Sequence, residues 1–134
     1  MSNHEKARFG WIKFMYIYTI LGAGGSGLGM LFAPELMKSL FKFPPQDPVV
    51  FGIVGSVYVA FGVLSILGLR SPLKFTPILL LQLCYKSIWM ICVILPLLFA
   101  GKVEMYAVML TVFFITYIIG DLIAIPFTYV FKKE

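Results

Sequence analysis

Two charged residues, Lys86 and Asp121, lie inside long apolar segments of the sequence, where charges are rare and often functional. Each lies about ten residues from the same end of its segment. In antiparallel neighbouring helices, both side chains would lie about 15 Å inside a hydrocarbon core about 30 Å thick. Because an isolated charge at that depth costs roughly 2.5–3.5 kcal/mol, the sequence predicts that Lys86 and Asp121 form a buried ion pair.

Three further side chains are predicted to lie beside this pair. Gln82 and Trp89 lie within one helical turn of Lys86, and Tyr117 precedes Asp121 by one turn. Hydrogen bonds from Gln82 and Tyr117 would help a buried pair to remain charged, and Trp89 would lie beside Lys86. Two interpretations stay open: a site for a proton, an ion or a ligand, or an ion pair that only fixes the register of the helices.

The composition indicates which elements hold these residues. Of 134 residues, 60% are hydrophobic and 13% are charged, with a mean hydropathy of +0.96, whereas about 25% of residues are charged in an ordinary soluble domain. This excludes a disordered chain, a secreted disulfide scaffold and a soluble nucleic-acid-binding protein. Four segments are long and apolar enough to span a membrane, at about 10–33, 49–69, 76–100 and 105–131. The predicted fold is an all-α transmembrane four-helix bundle, formed as a single membrane domain over residues 1–134.

Basic residues predict the orientation of this bundle. The chain has 11 lysine and arginine residues and a net charge of +5. One side of the predicted bundle carries Lys6, Arg8, Lys13, Arg70, Lys74, Lys132 and Lys133, and the other side carries Lys38, Lys42 and Lys102. Since basic residues concentrate in cytoplasmic loops, both termini and the second loop are predicted to be cytoplasmic. The charges therefore indicate a lipid bilayer as partner rather than a nucleic acid.

The first external loop is predicted to contain a short amphipathic helix. It begins at Pro34, a residue that suits the first helical turn. Its apolar face is formed by Leu36, Leu40 and Phe43, with Met37 and Phe41 beside them. Such a helix lies in the membrane interface, either as a simple connector or as a lid over a cavity.

Rows of small residues predict close contact between the first two spans. Gly25 and Gly29 recur at four-residue spacing in the first span, and Gly52, Ser56 and Ala60 do so in the second. These five are the predicted helix-packing residues. The alternative is that glycines leave room for a ligand or a bend.

Other groups that could do chemistry are scarce. His4 is the only histidine, so neither a His–Cys metal site nor a Ser–His–Asp triad can be assembled within the spans. Cys84 and Cys92 lie about 12 Å apart along one helix, too far to pair with each other, and are interpreted as small buried residues. A hydrolytic or metal-dependent enzyme is not indicated, and no catalytic or metal-ligating residue is assigned.

Three stretches together suggest a family. They are the run 27–34 (GLGMLFAP), the glycine-containing stretch 55–68 with AFG at 60–62, and RSP at 70–72 before a polar third helix. This pattern, over about residues 10–131, resembles the DoxX-like group of small four-span bacterial membrane proteins. The resemblance implies an accessory subunit of quinone-linked respiratory or thiol redox systems, and it assigns no catalytic residue.

Three functions are compatible with these patterns. The leading interpretation is non-enzymatic binding of a hydrophobic ligand or a membrane-protein partner near Lys86 and Asp121. The ligand would be a lipid or, as the resemblance implies, a quinone whose carbonyl accepts a hydrogen bond from Lys86 or Gln82 beside Trp89. The second is a proton- or ion-coupled transporter or channel that acts as a homo-oligomer. The third is a structural accessory subunit with a purely structural ion pair.

Overall fold

The computed structural model describes residues 3–133, with side chains from residue 9 onward. α-Helices cover Asn3–Thr19, Gly25–Phe32, Pro34–Phe41, Pro48–Arg70, Thr76–Trp89, Leu95–Phe99, Met105–Ala124 and Phe127–Val130. Two π-helical segments of five residues each, Ile20–Gly24 and Met90–Ile94, continue the α-helices that precede them. The predictions made for His4, Lys6 and Arg8 lie outside the described side chains.

Four helices are long and apolar enough to cross a membrane, as predicted. The spans are Phe9–Phe32, Pro48–Arg70, Thr76–Phe99 and Met105–Ala124. The first three agree with the predicted segments to within about one residue at each end. The all-α four-helix bundle is therefore confirmed, and the chain belongs to the class of integral membrane proteins.

The fourth span ends at Ala124, well before the predicted end at residue 131. The cause is Pro126, which has no backbone N–H and disfavours helical backbone at the residue before it. Ile125 accordingly has extended dihedral angles, and a separate short helix, Phe127–Val130, follows. Asp121 therefore lies within one turn of the end of its helix rather than in the middle of the span.

The first span is the centre of the packing. Each of its three helical pieces contacts the second span, and it also contacts the fourth, against which the third span packs. The second and third spans make far fewer contacts with each other. The main core cluster consists of Ile12, Met15, Tyr16, Leu79, Tyr117, Ala124 and Ile125. It lies toward the end of the bundle that carries the 71–75 loop, called the base below, where the Tyr16 hydroxyl donates a hydrogen bond to the Pro72 carbonyl oxygen (2.7 Å).

Glycines allow the first two spans to approach each other closely. A Cβ added to Gly62 would lie 2.8 Å from the Cα of Gly24, and one added to Gly27 would lie 2.6 Å from the carbonyl oxygen of Gly55. Both obstacles are backbone atoms, which cannot rotate away as a side chain can. The close contact between the helices therefore runs through Gly24, Gly27, Gly55 and Gly62.

The predicted packing residues are largely on other faces. Added Cβ atoms on Gly25 and Gly52 would meet nothing within 4 Å, and both Ser56 and Ala60 are exposed. Gly29 contacts Met37 of the loop helix instead of the second span. The prediction was wrong in its choice of face because both spans carry small residues on more than one face, and four-residue spacing does not show which of these faces meets the partner helix.

The predicted amphipathic helix is present as Pro34–Phe41 and is called the loop helix below. It ends at Lys42, whose φ of 58° is left-handed. Leu36 and Leu40 are exposed, whereas Met37 and Phe41 are half-buried. The loop helix therefore turns its Met37–Phe41 side toward the bundle and presents leucines to its surroundings.

The two cysteines differ from their prediction as buried residues. Cys84 and Cys92 are both free and exposed on the surface of the third span. Their helix buries Leu79, Gln82 and Lys86 instead. A short apolar side chain gives little information about which face of a membrane helix turns inward, because lipid accepts it as readily as a protein core does.

Candidate functional site

Lys86 has a buried side chain surrounded by aromatic rings. It is 1% exposed, and its Nζ lies 4.1 Å from the ring centroid of Phe114, 4.4 Å from that of Tyr117 and 4.6 Å from that of Tyr85. The Tyr58 ring lies 6.0 Å away on the second span. Aromatic faces attract an ammonium group, more strongly where water is excluded. The four rings form an aromatic cage that offsets part of the cost of burying this cation.

The Lys86 ammonium group does not use all of its hydrogen-bond donors. Its Nζ donates one hydrogen bond, to the Tyr85 hydroxyl at 2.7 Å. An ammonium group has three donors and no acceptor. Within the part of the chain that the structure describes, no carboxylate lies within ion-pair distance of Lys86, and the pair Lys38–Glu35 at the surface is the single ion pair (3.2 Å).

Asp121 belongs to a different polar cluster. It is completely buried, and both of its carboxylate oxygens accept from the Gln82 side-chain amide, at 3.0 and 3.3 Å. The same amide lies 3.4 Å from the Thr19 hydroxyl, which donates to the Met15 carbonyl oxygen (2.7 Å). We call Thr19, Gln82 and Asp121 the Asp121 cluster; it connects the first, third and fourth spans.

The predicted direct ion pair between Lys86 and Asp121 is therefore not formed. The depth argument placed both residues about ten residues from the base, but the fourth helix ends at Ala124. Asp121 consequently lies nearer the base than Lys86 and opposite Gln82, which is one turn closer to the base than Lys86. Gln82 donates hydrogen bonds to the Asp121 carboxylate, and the Lys86 ammonium group lies against aromatic rings.

A cavity of about 460 Å³ begins at the aromatic cage and extends toward the loop helix. Ligand pockets commonly enclose about 300–1,000 Å³. Of the five predicted site residues, Lys86, Trp89 and Tyr117 line this cavity, whereas Gln82 and Asp121 do not. The structure thus divides the predicted site into a cavity with a cationic end and the separate Asp121 cluster.

The walls of the cavity are mostly apolar and come from all four spans and the loop helix. Contributions from outside the cage include Ala23, Ser26 and Met30 of the first span, Leu110 and Phe113 of the fourth span, Met37 and Phe41 of the loop helix, and Phe43. The loop helix therefore closes one end of the cavity, in agreement with the lid alternative rather than with a simple connector.

One side of the cavity is open along the second span. Val50, Ile53, Val54 and Val57 all line the cavity and are each between 37% and 58% exposed. The second and third spans also make few contacts with each other. The cavity is therefore open on the side that the second span presents to its surroundings.

Tyr117 is fixed in place by the first span. Its ring stacks on that of Tyr18, with centroids 4.5 Å apart, and its hydroxyl donates to the Tyr18 carbonyl oxygen at 3.2 Å. A side chain on Gly22 would collide with the Tyr117 hydroxyl. The absence of a side chain at Gly22 thus allows the Tyr117 ring to reach Lys86.

Several site residues were not predicted from the sequence. Tyr85 adjoins Lys86, and Phe114 lies one turn before Tyr117, so helical spacing alone could have brought both into the site. Tyr58 gives no such signal, because its helix contains no other residue that points to the site. The contribution of the loop helix is also tertiary, since it depends on how residues 33 and 42–47 fold back.

Comparison of the chain with protein-family models, with curated proteins and with solved structures gave no match. The fold and the site define a four-span helical membrane protein with an internal cavity that ends at a caged lysine. The DoxX-like resemblance remains a prediction.

Proposed function

We propose that this protein binds a hydrophobic ligand in the cavity between the aromatic cage and the loop helix. The observation that carries this proposal is a mostly apolar cavity of about 460 Å³ with one buried ammonium group, Lys86, at its inner end. Apolar walls with a small number of well-placed polar groups are typical of ligand sites. The walls would bind the body of the ligand, and Lys86 would orient its polar group.

Access from the bilayer supports the same proposal. The exposed valines along the second span give the ligand a lateral entry, and the loop helix covers the end of the cavity. A ligand dissolved in the membrane is already concentrated there, so modest contacts suffice for occupancy. In the proposed function, the protein binds its ligand and performs no reaction on it.

A quinone is the ligand that the family resemblance implies. Its carbonyl oxygen would accept a hydrogen bond from Lys86, and its ring would pack beside Trp89, whose ring centroid lies 4.9 Å from that of Phe114. Gln82 was predicted as another donor, but it is occupied by Asp121 and does not line the cavity. The proposed location is a bacterial inner membrane, with the base of the bundle facing the cytoplasm.

The two other candidate functions have less support from the geometry. Ion-coupled transport would require Asp121 to communicate with the cavity, yet its carboxylate is buried against Gln82 and away from the cavity. A purely structural accessory role leaves the cavity and the unused donors of Lys86 without a purpose. Assembly with a second copy or with another membrane protein is compatible with ligand binding.

Thermal unfolding in mild detergent tests ligand binding. The probes are decylubiquinone, dodecanol and dodecanoate, since a ligand that binds only the folded state raises the unfolding temperature. Val54→Trp places a large ring at the open side of the cavity, and Val63→Trp places it on the same helix at an exposed residue that does not line the cavity.

We expect at least one probe to raise the unfolding temperature of the unmodified protein and of Val63→Trp, but not that of Val54→Trp. The proposal fails if no probe stabilises the protein, or if all three forms are stabilised equally.

A further inference from the structure

Lys86 is a cation at the inner end of the cavity, and no carboxylate of the described chain lies within ion-pair distance of it. Its side chain is 1% exposed and donates to one neutral hydroxyl, that of Tyr85. The other rings around it, those of Phe114, Tyr117 and Tyr58, are neutral. The nearest carboxylate cluster, that of Asp121, is held by Gln82.

Building on the proposed function, we infer that the ligand is a single-chain amphiphile with an anionic head group, a fatty acid being the simplest example. Its carboxylate lies against the Lys86 ammonium, and its chain runs along the apolar walls toward the loop helix. Lys86 thereby selects for the charge of the ligand.

Charge is the first argument for an anionic head group. Hydrogen bonds between two charged groups are about twice as strong as neutral ones. A buried ion pair is favourable only where further hydrogen bonds satisfy both partners. Lys86 has unused donors, and the Tyr58 hydroxyl, which lines the cavity, has no hydrogen-bond partner among the described residues. A carboxylate can accept from both groups and brings a negative charge against the ammonium, whereas a neutral carbonyl oxygen brings no charge.

The shape of the cavity is the second argument. On the second span, the wall extends from Tyr58 to Val50, which at 1.5 Å per residue is about 12 Å. This wall is lined by Val50, Ile53, Val54 and Val57 and suits one extended alkyl chain. The volume of about 460 Å³ is at the lower end of the usual range for ligand pockets, which favours one chain over a two-chain lipid.

The test measures the position and charge preference of the ligand together. The chain has two tryptophans, Trp11 and Trp89, and of these only Trp89 lines the cavity. In a Trp11→Phe background, quenching of tryptophan fluorescence by a bromine on the alkyl chain reports occupancy of the cavity. The two probes are bromododecanoate and bromododecanol, which differ in the head group.

We expect bromododecanoate to quench Trp89 with an apparent Kd about tenfold or more below that of bromododecanol, which corresponds to about 1.4 kcal/mol. Lys86→Met should abolish this difference while bromododecanol still quenches, and Lys86→Arg should retain it. Lys102→Met is the matched control, because Lys102 is an exposed lysine near the same end as the loop helix, and it should behave like the unmodified chain.

The outcomes separate the two proposals. Equal quenching by the acid and the alcohol in the unmodified chain overturns the anionic preference and leaves ligand binding intact. The same conclusion follows if Lys86→Met keeps the difference. No quenching by the two probes or by decylubiquinone, a quinone that can itself quench fluorescence, contradicts the proposed function as well. If Lys86→Met does not fold, the acid-to-alcohol ratio in the unmodified chain and in Lys86→Arg decides the question.

Discussion

At the scale of single residues, the two charged side chains buried within the spans are stabilised in different ways. Lys86 lies among the faces of aromatic rings, and Asp121 accepts hydrogen bonds from a side-chain amide. The sequence identifies both residues as exceptional, because charge in an apolar span is costly. It does not reveal their partners, since that depends on where the fourth helix ends and on which way the lysine side chain turns.

The pairing of Asp121 with Gln82 instead of Lys86 is tested by the energetic coupling between Gln82 and Asp121. The two side chains share hydrogen bonds of 3.0 and 3.3 Å, so Gln82→Leu or Asp121→Leu each leaves a buried polar group without its partner, at a cost of about 1–3 kcal/mol. The double variant should lose less stability than the two single losses combined. The expected coupling is about 0.5–2 kcal/mol in a double-mutant cycle measured by unfolding in detergent.

Glu35→Leu provides the matched control for this cycle, because Glu35 pairs with Lys38 at the surface. Combined with Gln82→Leu, it should give additive losses. Additive losses for Gln82 and Asp121 themselves would show that their hydrogen bonds contribute nothing beyond each residue alone.

At the scale of helices, the sequence predicts that each helix exists but not which of its faces packs against the other helices. Long apolar runs and the prolines between them mark four spans, and the pattern after Pro34 marks the loop helix. The end of the fourth span was missed because apolar residues continue past Pro126 to Phe131. The packing face of the first span was missed because small residues occur on several of its faces, and their spacing does not show that Gly24 rather than Gly25 meets the second span.

Gly62 and Gly52 offer a direct test of the observed packing face. The same substitution is made on one helix, but an alanine Cβ at Gly62 would lie 2.8 Å from the Gly24 Cα, whereas at Gly52 it meets nothing within 4 Å. We expect Gly62→Ala to lower the free energy of unfolding by about 1–3 kcal/mol, because two backbones must separate. Gly52→Ala should be neutral or stabilise by up to about 1 kcal/mol, because alanine favours helix.

Unfolding of both variants in mixed detergent, followed by circular dichroism, measures the difference. Equal effects of the two substitutions, or a larger loss for Gly52→Ala, would contradict the contact through Gly24 and Gly62.

At the scale of the whole molecule, the bundle is packed at its base and open toward the loop helix. The main core cluster lies near the base, and the cavity occupies the other half, between the four spans and the loop helix. Hydropathy predicts the number of spans, but a cavity is a property of how they pack. The sequence therefore predicted the depth of a candidate ligand site but not most of the residues that line it.

The proposed orientation places the base in the cytoplasm, because most basic loop residues lie there. Single cysteines test it in a background in which Cys84 and Cys92 are replaced by alanine. A membrane-impermeant maleimide should label Glu104→Cys in intact cells and label Ser71→Cys only after the membrane is permeabilised. The reverse pattern would contradict the orientation and leave the fold unaffected.

The central claim is that the cavity beside Lys86 holds a molecule taken from the membrane. Native mass spectrometry of protein released from mild detergent tests it most directly, because it weighs the protein together with anything that it retains. The account predicts one retained lipophile per chain in the unmodified protein and in Val63→Trp, and its loss in Val54→Trp. A bare protein in all three forms, or the same retained mass in all three, would contradict the claim.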